Sequence, residues 1–226
     1  MSTLILLRHG ESEWNRLNLF TGWVDIPLST KGIEESREAG KKFSDLPIDV
    51  IFVSSLIRAQ STATLALLEH KSKKIPCRLH PGEGNLENWA RIYSEEARAQ
   101  TFPMIAAWQL NERMYGRLQG MNKQEMRKKY GVEQVQRWRR SFREAPPEGE
   151  SLEDTAKRSI PYFKEHILPY LHGGKSVLIA AHGNSLRAIC MFLDHLSEEE
   201  VLRLEIPTGE PIFYSFTGKE WKRETF

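Results

Sequence analysis

Two short apolar runs, each ending in a His-Gly pair, constrain this chain more than any other feature. The first is Leu4-Ile5-Leu6-Leu7, followed by Arg8-His9-Gly10 and then Glu11-Ser12-Glu13-Trp14-Asn15. The second is Ser176 to Ala181, followed by His182-Gly183-Asn184-Ser185-Leu186-Arg187. Unbroken runs of this kind predict strands buried on both faces rather than alternating edge strands. The polar residues after the first run suit the opening turn of a helix, where side-chain oxygens and acidic groups answer unpaired amides. Strand, His-Gly, helix start places a phosphate-sized anion site beside an imidazole. Arg8 adds a planar cation there, and Gly10 lets a ligand approach the backbone closely.

Between these runs the chain alternates strands with helices. Ser29-Thr30 opens a helix ended by Pro47, with Ile33, Ser36, Gly40 and Phe43 as its inward stripe and Gly40 packing closely against a sheet. Asp49 to Val53 is a further buried strand. It leads into a helix with Ile57, Thr62 and Leu65 at helical spacing, so Arg58 falls in the first turn after a strand end. Ile75 to His80 is expected as a strand and Arg91 to Ala99 as one surface helix. Helices are also expected at Lys123 to Tyr130 and Glu133 to Phe142, and from a Ser151-Asp154 capping pair to about Leu168 with a kink at Pro161. Ser197 caps a short helix, and Pro211 to Phe216 with Trp221 to Phe226 reads as a closing hairpin. The alternation implies an α/β domain with a largely parallel sheet.

No linker divides the 226 residues, so a single domain over 1–226 is expected, with an insertion at about 70–106 near the site mouth. A net charge of +2 lacks the clustered excess of a nucleic-acid binder. Cys77 and Cys190 form no CxxC pair, and no HExxH or paired-carboxylate set accompanies His9 and His182, so a metal site is not expected. The leading apolar run is too short for a signal peptide or a membrane span, and a cytoplasmic protein with no membrane partner is expected.

Ligands of such sheets bind outside the carboxyl ends of the strands. Arg8-His9, Arg58 and His182 all stand at strand ends, and cations gathered so closely need an anion between them. A phosphoryl group is the simplest occupant. The chain resembles the histidine phosphatase superfamily, and specifically its cofactor-dependent phosphoglycerate mutases. The resemblance rests on Arg8-His9-Gly10, Phe20 to Trp23, Leu110 to Arg113, Leu118-Gln119-Gly120, Asn122-Lys123, Gln134 to Arg140, Ala181 to Arg187 and Ile206 to Gly209, in family order.

The resemblance implies a three-layer α/β/α histidine-phosphatase fold. It implies a nucleophile at His9, a second imidazole at His182, a phosphoryl clamp of Arg8 and Arg58, and a general acid and base at Glu112. It places Ser12 and Asn15 as further donors, Thr21 and Gly22 in a substrate loop, and Arg113, Tyr115, Lys123, Arg139, Arg140, Gly183 and Asn184 around the rest of a phosphoglycerate. A 2,3-bisphosphoglycerate cofactor, no metal and a homodimer follow from the same source. The chain departs from the family at Met114, where many relatives have His, and in having little of the C-terminal tail that helps exclude water in longer ones. A phosphohistidine-type phosphatase of small phosphomonoesters remains open as an alternative. A non-catalytic phosphate-binding module is the third reading, although binding alone needs neither a nucleophilic His nor a Glu acid. Trp14, Trp23 and Trp138 read as packing residues.

Overall fold

The computed structural model describes residues 1–224. Its strands are β1 (Ser2–Arg8), β2 (Val50–Ser54), β3 (Ile75–Leu79), β4 (Thr101–Ala107), β5 (Val177–Ala181), β6 (Pro211–Phe216) and β7 (Trp221–Glu224). They form one sheet in the order β3-β4-β2-β5-β1-β6-β7. Every ladder from β3 across to β1 is parallel, while β6 and β7 run antiparallel at the other edge. The expected closing hairpin is therefore present as far as Glu224, and its last two residues lie outside the described ones.

The unbroken apolar runs have a simple cause. Successive side chains of a strand point to opposite faces, and here both faces are covered. Leu4, Leu6, Val50, Phe52, Val177 and Ile179 join one core, whereas Ile5, Leu7, Ile51, Val53, Leu178 and Ala180 join the other.

The helices are α1 (Glu13–Arg16), α2 (Thr30–Lys42), α3 (Ile57–Leu67), α4 (Asn85–Trp89), α5 (Glu95–Ala99), α6 (Lys123–Tyr130), α7 (Val132–Arg140), α8 (Leu152–Tyr162), α9 (Leu168–His172), α10 (Gly183–Leu193) and α11 (Glu198–Arg203). Ala39 and Phe43 of the α2 region and Ala63, Ala66 and Leu67 of α3 close one face of the sheet. Phe163, Ile167 and Leu171, with Leu186, Ile189 and Leu193 of α10, close the other. The kink expected at Pro161 takes the form of a π turn at Phe163–Ile167 between α8 and α9.

Several expectations need correction. Gly40 packs against another helix and not against the sheet, because a Cβ there would lie 2.0 Å from the Ala66 carbonyl oxygen. Ile33 and Ile57, expected to face inward, are exposed, and the buried face of α2 is Gly32, Ser36, Ala39 and Gly40. Of the surface helix expected over 91–99 only α5 forms, with residues 91–94 irregular, and the short helix α4 lies ahead of that range. Strand β4 carries no clear strand signal because Pro103 interrupts its apolar run; the ladder with β2 begins one residue later, at Met104, so the missing N–H costs that ladder nothing. Residues 70–106 thus supply β3 and nearly all of β4, and none of them is among the residues that line the cavity described below.

A third, smaller core of Phe20, Leu118, Met126, Val135 and Trp138 seats α6 and α7 beside the strand ends.

Candidate active site

The carboxyl ends of β1, β2 and β5 open into a cavity of about 220 Å³. Its walls include Arg8, His9, Asn15, Phe20 to Gly22, Arg58, Glu112, Tyr115, Lys123, Arg139, Arg140, Gly183, Asn184, Arg187 and Glu205.

His9 follows the last residue of β1 and is 3% exposed. Its Nδ1 lies 2.6 Å from the Gly10 carbonyl oxygen, which can only accept, so Nδ1 carries the proton and Nε2 keeps its lone pair. Burial, reinforced by the charges of Arg58 and Arg8, holds His9 well below the ordinary imidazole value of 6.5. The ring is therefore neutral and nucleophilic at cellular pH. Gly10 is itself fixed, since its N–H donates to Thr62 Oγ1 at 3.0 Å and Thr62 donates on to the Arg58 carbonyl at 2.8 Å.

His182 follows β5 and is fully buried, its ring centroid 4.9 Å from that of His9. Ser54 Oγ, at the end of β2, accepts from the Leu56 N–H at 3.2 Å and lies 2.7 Å from His182 Nε2. The Ser54 hydroxyl proton has no other acceptor among the described residues, so it goes to Nε2, which leaves Nδ1 as the N–H donor. Burial, then Arg58 and His9, keep this ring neutral as well.

Arg58 donates to the carbonyls of Gly22, at 2.7 Å, and Val24, at 3.0 Å, and so holds the 21–24 loop. Burial lowers it to about 10, which leaves it charged. Arg8 donates to the Ile206 carbonyl at 2.6 Å. Five buried side-chain atoms among the described residues have no hydrogen-bond partner: Arg8 Nε, Arg58 Nε, His182 Nδ1, Thr21 Oγ1 and Arg113 Nε. Unpaired buried donors are costly, and the first four belong to the cluster around His9, as a site built for an oxyanion requires.

Glu112 faces the same group. Its Oε1 accepts from the Arg113 N–H at 2.7 Å and from Asn184 Nδ2 at 2.7 Å. Burial pushes its carboxyl up, but these bonds and the charges of Arg8 and Arg113 outweigh burial, and the net shift is downward. The free site therefore holds a carboxylate. Trp23 contributes more than packing: its indole N–H donates to the Glu112 carbonyl at 2.5 Å. Arg158 stacks over that indole at 5.4 Å and donates to the same carbonyl at 3.0 Å.

The distal wall carries Lys123, Arg139 and Arg140 from α6 and α7. Burial and the nearby Arg139 and Arg8 lower Lys123 to about 8. Three expected site residues do not line the cavity, and one of them, His182, lies fully buried behind it against the His9 ring. Ser12 is spent as the helix cap, exchanging hydrogen bonds with Asn15, and supports that residue. Arg113 lies behind the wall, where it donates to the Arg139 carbonyl at 2.6 Å and stacks over Tyr115. Ser54, Thr62, Arg158, Arg187 and Glu205 were not among the sequence candidates. Of these only Arg187 belongs to one of the family-like sequence blocks, three residues after Asn184 on α10.

The sequence profile of the histidine phosphatase superfamily (branch 1) matches residues 4–109 and 87–226, and the chain belongs to that superfamily. A 2,3-bisphosphoglycerate-dependent phosphoglycerate mutase of Protochlamydia amoebophila is 61% identical over 99% of both chains. A protein of that name from Arabidopsis thaliana is 56% identical over 98% of this chain and 67% of its own length. The chain is thus a member of the family of 2,3-bisphosphoglycerate-dependent phosphoglycerate mutases. Among solved structures, mycobacterial hydrolase 1 superposes with a TM-score of 0.75 at 20% identity, covering 100% of this chain and 98% of its own. A mycobacterial glucosyl-3-phosphoglycerate phosphatase superposes equally, with a TM-score of 0.75 at 23% identity over 100% and 98%. At that identity the likeness speaks for the fold alone.

Proposed function

We infer that this enzyme interconverts 2-phosphoglycerate and 3-phosphoglycerate, in glycolysis and gluconeogenesis, through a phosphohistidine at His9 and a 2,3-bisphosphoglycerate intermediate. The observation that carries the reading is that one cavity holds both the clamp around His9 and a second set of cations, Lys123, Arg139 and Arg140. A phosphatase of small monoesters needs only the first. A mutase needs both, because the doubly phosphorylated intermediate must stay bound while it turns to present its other end.

When bound, 2,3-bisphosphoglycerate supplies the phosphoryl group that primes the enzyme. The unpaired donors around His9 fit one of its phosphates, and the distal cations fit the other. His9 Nε2 attacks phosphorus as the P–O bond to the sugar acid breaks. Arg8, Arg58 and the Nδ1–H of His182 hold the phosphoryl oxygens, since such transfers depend chiefly on positioning and charge stabilisation. Asn15, Thr21 and the Gly22 loop line the entry side, and Tyr115, Gly183 and Asn184 shape the wall beside the substrate.

Glu112 moves the proton. As a carboxylate it takes one from the attacking hydroxyl, and in the reverse step it returns one to the leaving oxygen. A phosphoryl dianion beside Arg8 offsets the charge that holds this carboxyl down, so the occupied site favours the protonated acid that the leaving step requires. The arginines supply positive charge without a metal.

A cytoplasmic location is inferred from the part that such mutases take in glycolysis. A homodimer is supported by the edge strand β3, which exposes Ile75 and Leu79 and is followed in sequence by the exposed Trp89 and Tyr93; light scattering across concentration checks it. The function itself is tested by measuring phosphoglycerate interconversion and phosphomonoester hydrolysis side by side, with and without 2,3-bisphosphoglycerate. Efficient interconversion that the cofactor stimulates, with slow hydrolysis, is expected. Faster hydrolysis than interconversion would hand the site to the phosphatase reading.

A further inference from the structure

The distal cations are of two kinds. Lys123 and Arg139 have no carboxylate within ion-pair distance among the described residues. Arg140 and Arg187 share one: Glu205 Oε1 lies 2.8 Å from Arg140 and its Oε2 3.4 Å from Arg187. A carboxylate lying across two guanidiniums has the geometry by which proteins grip an acidic ligand.

The three partners differ in how firmly they are held. Arg187 is buried, its Nε donating to the Leu204 carbonyl at 2.7 Å and its Nη1 to Asn184 Oδ1 at 3.3 Å, so only Nη2 is turned to Glu205. Arg140 ends α7 on the satellite core. The Glu205 side chain is 65% exposed and lies in the irregular segment that follows α11. Of the three, the carboxylate can leave for water at least cost, while the guanidiniums stay where they are.

We propose that Glu205 is an internal competitor for the distal anion subsite: its carboxylate occupies the position between Arg140 and Arg187 that the far acidic group of a ligand takes, and it swings into solvent when that group arrives. The identity of the ligand rests on the mutase reading, but the subsite does not. Glu205 thereby tempers the grip on polyanions, which lets a turning enzyme release a monophosphorylated product from a wall of cations. The arrangement also reaches Glu112, because Asn184 accepts from Arg187 and donates to Glu112.

Calorimetric titration of the unphosphorylated enzyme and of Glu205→Gln, with tripolyphosphate, 3-phosphoglycerate and vanadate as separate probes, tests this. Removing the competing charge should tighten tripolyphosphate and 3-phosphoglycerate by roughly twofold to fivefold, in keeping with exposed ion pairs. Vanadate, small enough to sit between Arg8 and Arg58, should be unmoved. In an Arg140→Ala background the gain from Glu205→Gln should shrink. Weaker polyanion binding in Glu205→Gln would overturn the proposal, since Glu205 would then be a brace that presents Arg140. Equal tightening of vanadate would also overturn it, as a general field effect. If tripolyphosphate tightens while 3-phosphoglycerate binds neither protein, the substrate assignment falls and the role of Glu205 stands.

Discussion

The reacting half of the cavity and the gripping half are built on different foundations. His9, His182 and Arg58 stand at the ends of buried strands or in the first turn of a helix that follows one, and their rings and guanidinium are held from behind by Gly10, Ser54 and the 22–24 carbonyls. Lys123, Arg139 and Arg140 stand on two short helices seated on a core of five residues. In the first half, burial keeps imidazoles neutral and leaves donors unpaired. In the second, cations are spread over a wall that closes partly through Glu205. Chemistry that depends on fixed angles sits on the sheet, and recognition that must let a substrate turn sits on the lighter support.

That contrast can be broken in graded steps. His9→Ala should abolish the phosphoenzyme, which in the wild type forms with 2,3-bisphosphoglycerate and is acid-labile and base-stable; labelling that survives the substitution places the nucleophile elsewhere. Glu112→Gln should slow phosphoglycerate interconversion on the order of 10²-fold or more, because a sugar-acid alkoxide leaves poorly without a proton. With an aryl phosphate, whose phenolate leaves readily, the loss should be much smaller. Equal losses would make Glu112 a structural residue.

Replacing Arg139 and Arg140 together by Ala should depress interconversion at least roughly tenfold, as charge-assisted hydrogen bonds are worth about 1.5–3 kcal/mol each. Hydrolysis of a small monophosphate should change little. A parallel fall in both rates would remove the distinction between the two halves.

The halves should also part company with pH. Because the folded His9 stays neutral well below 6.5, phosphoenzyme formation should remain flat down to about pH 6, where an unperturbed imidazole is mostly protonated. Lys123, lowered to about 8, loses its charge as pH rises through that value. Affinity for 3-phosphoglycerate should therefore weaken between about pH 7 and pH 9, by up to roughly tenfold per unit above the free-site value, and Lys123→Arg should flatten the profile. A labelling rate that drops near pH 6.5, or an affinity insensitive to Lys123→Arg, would count against these assignments. The smallest effect should come from chelation: activity in EDTA should match the untreated enzyme, and a loss restored by manganese or magnesium would show that the arginines do not suffice.

Much of this was legible in the chain. The apolar runs encode burial on both faces of β1, β2 and β5, the polar residues Ser29, Ser151 and Ser197 mark where helices begin, and the His-Gly pairs fall where a parallel sheet presents its ligands. These are local signals, set by the periods of strand and helix and by the unpaired amides of a first turn. The sheet order was not legible, nor was β4, whose Pro103 hides a strand that only the ladders on either side define. The supports of the site were equally silent. Ser54 fixes the tautomer of His182 across 128 residues of sequence, Thr62 holds Gly10 across 52, and Glu205 meets Arg140 from a different segment altogether. A serine, a threonine or a glutamate has no period and no motif that announces such a partner. Which residues could do the chemistry is written locally, in side-chain type and in position at a strand end. Which atoms carry the protons and which cations stand paired depends on distances between segments, and those the chain order leaves free until the fold closes.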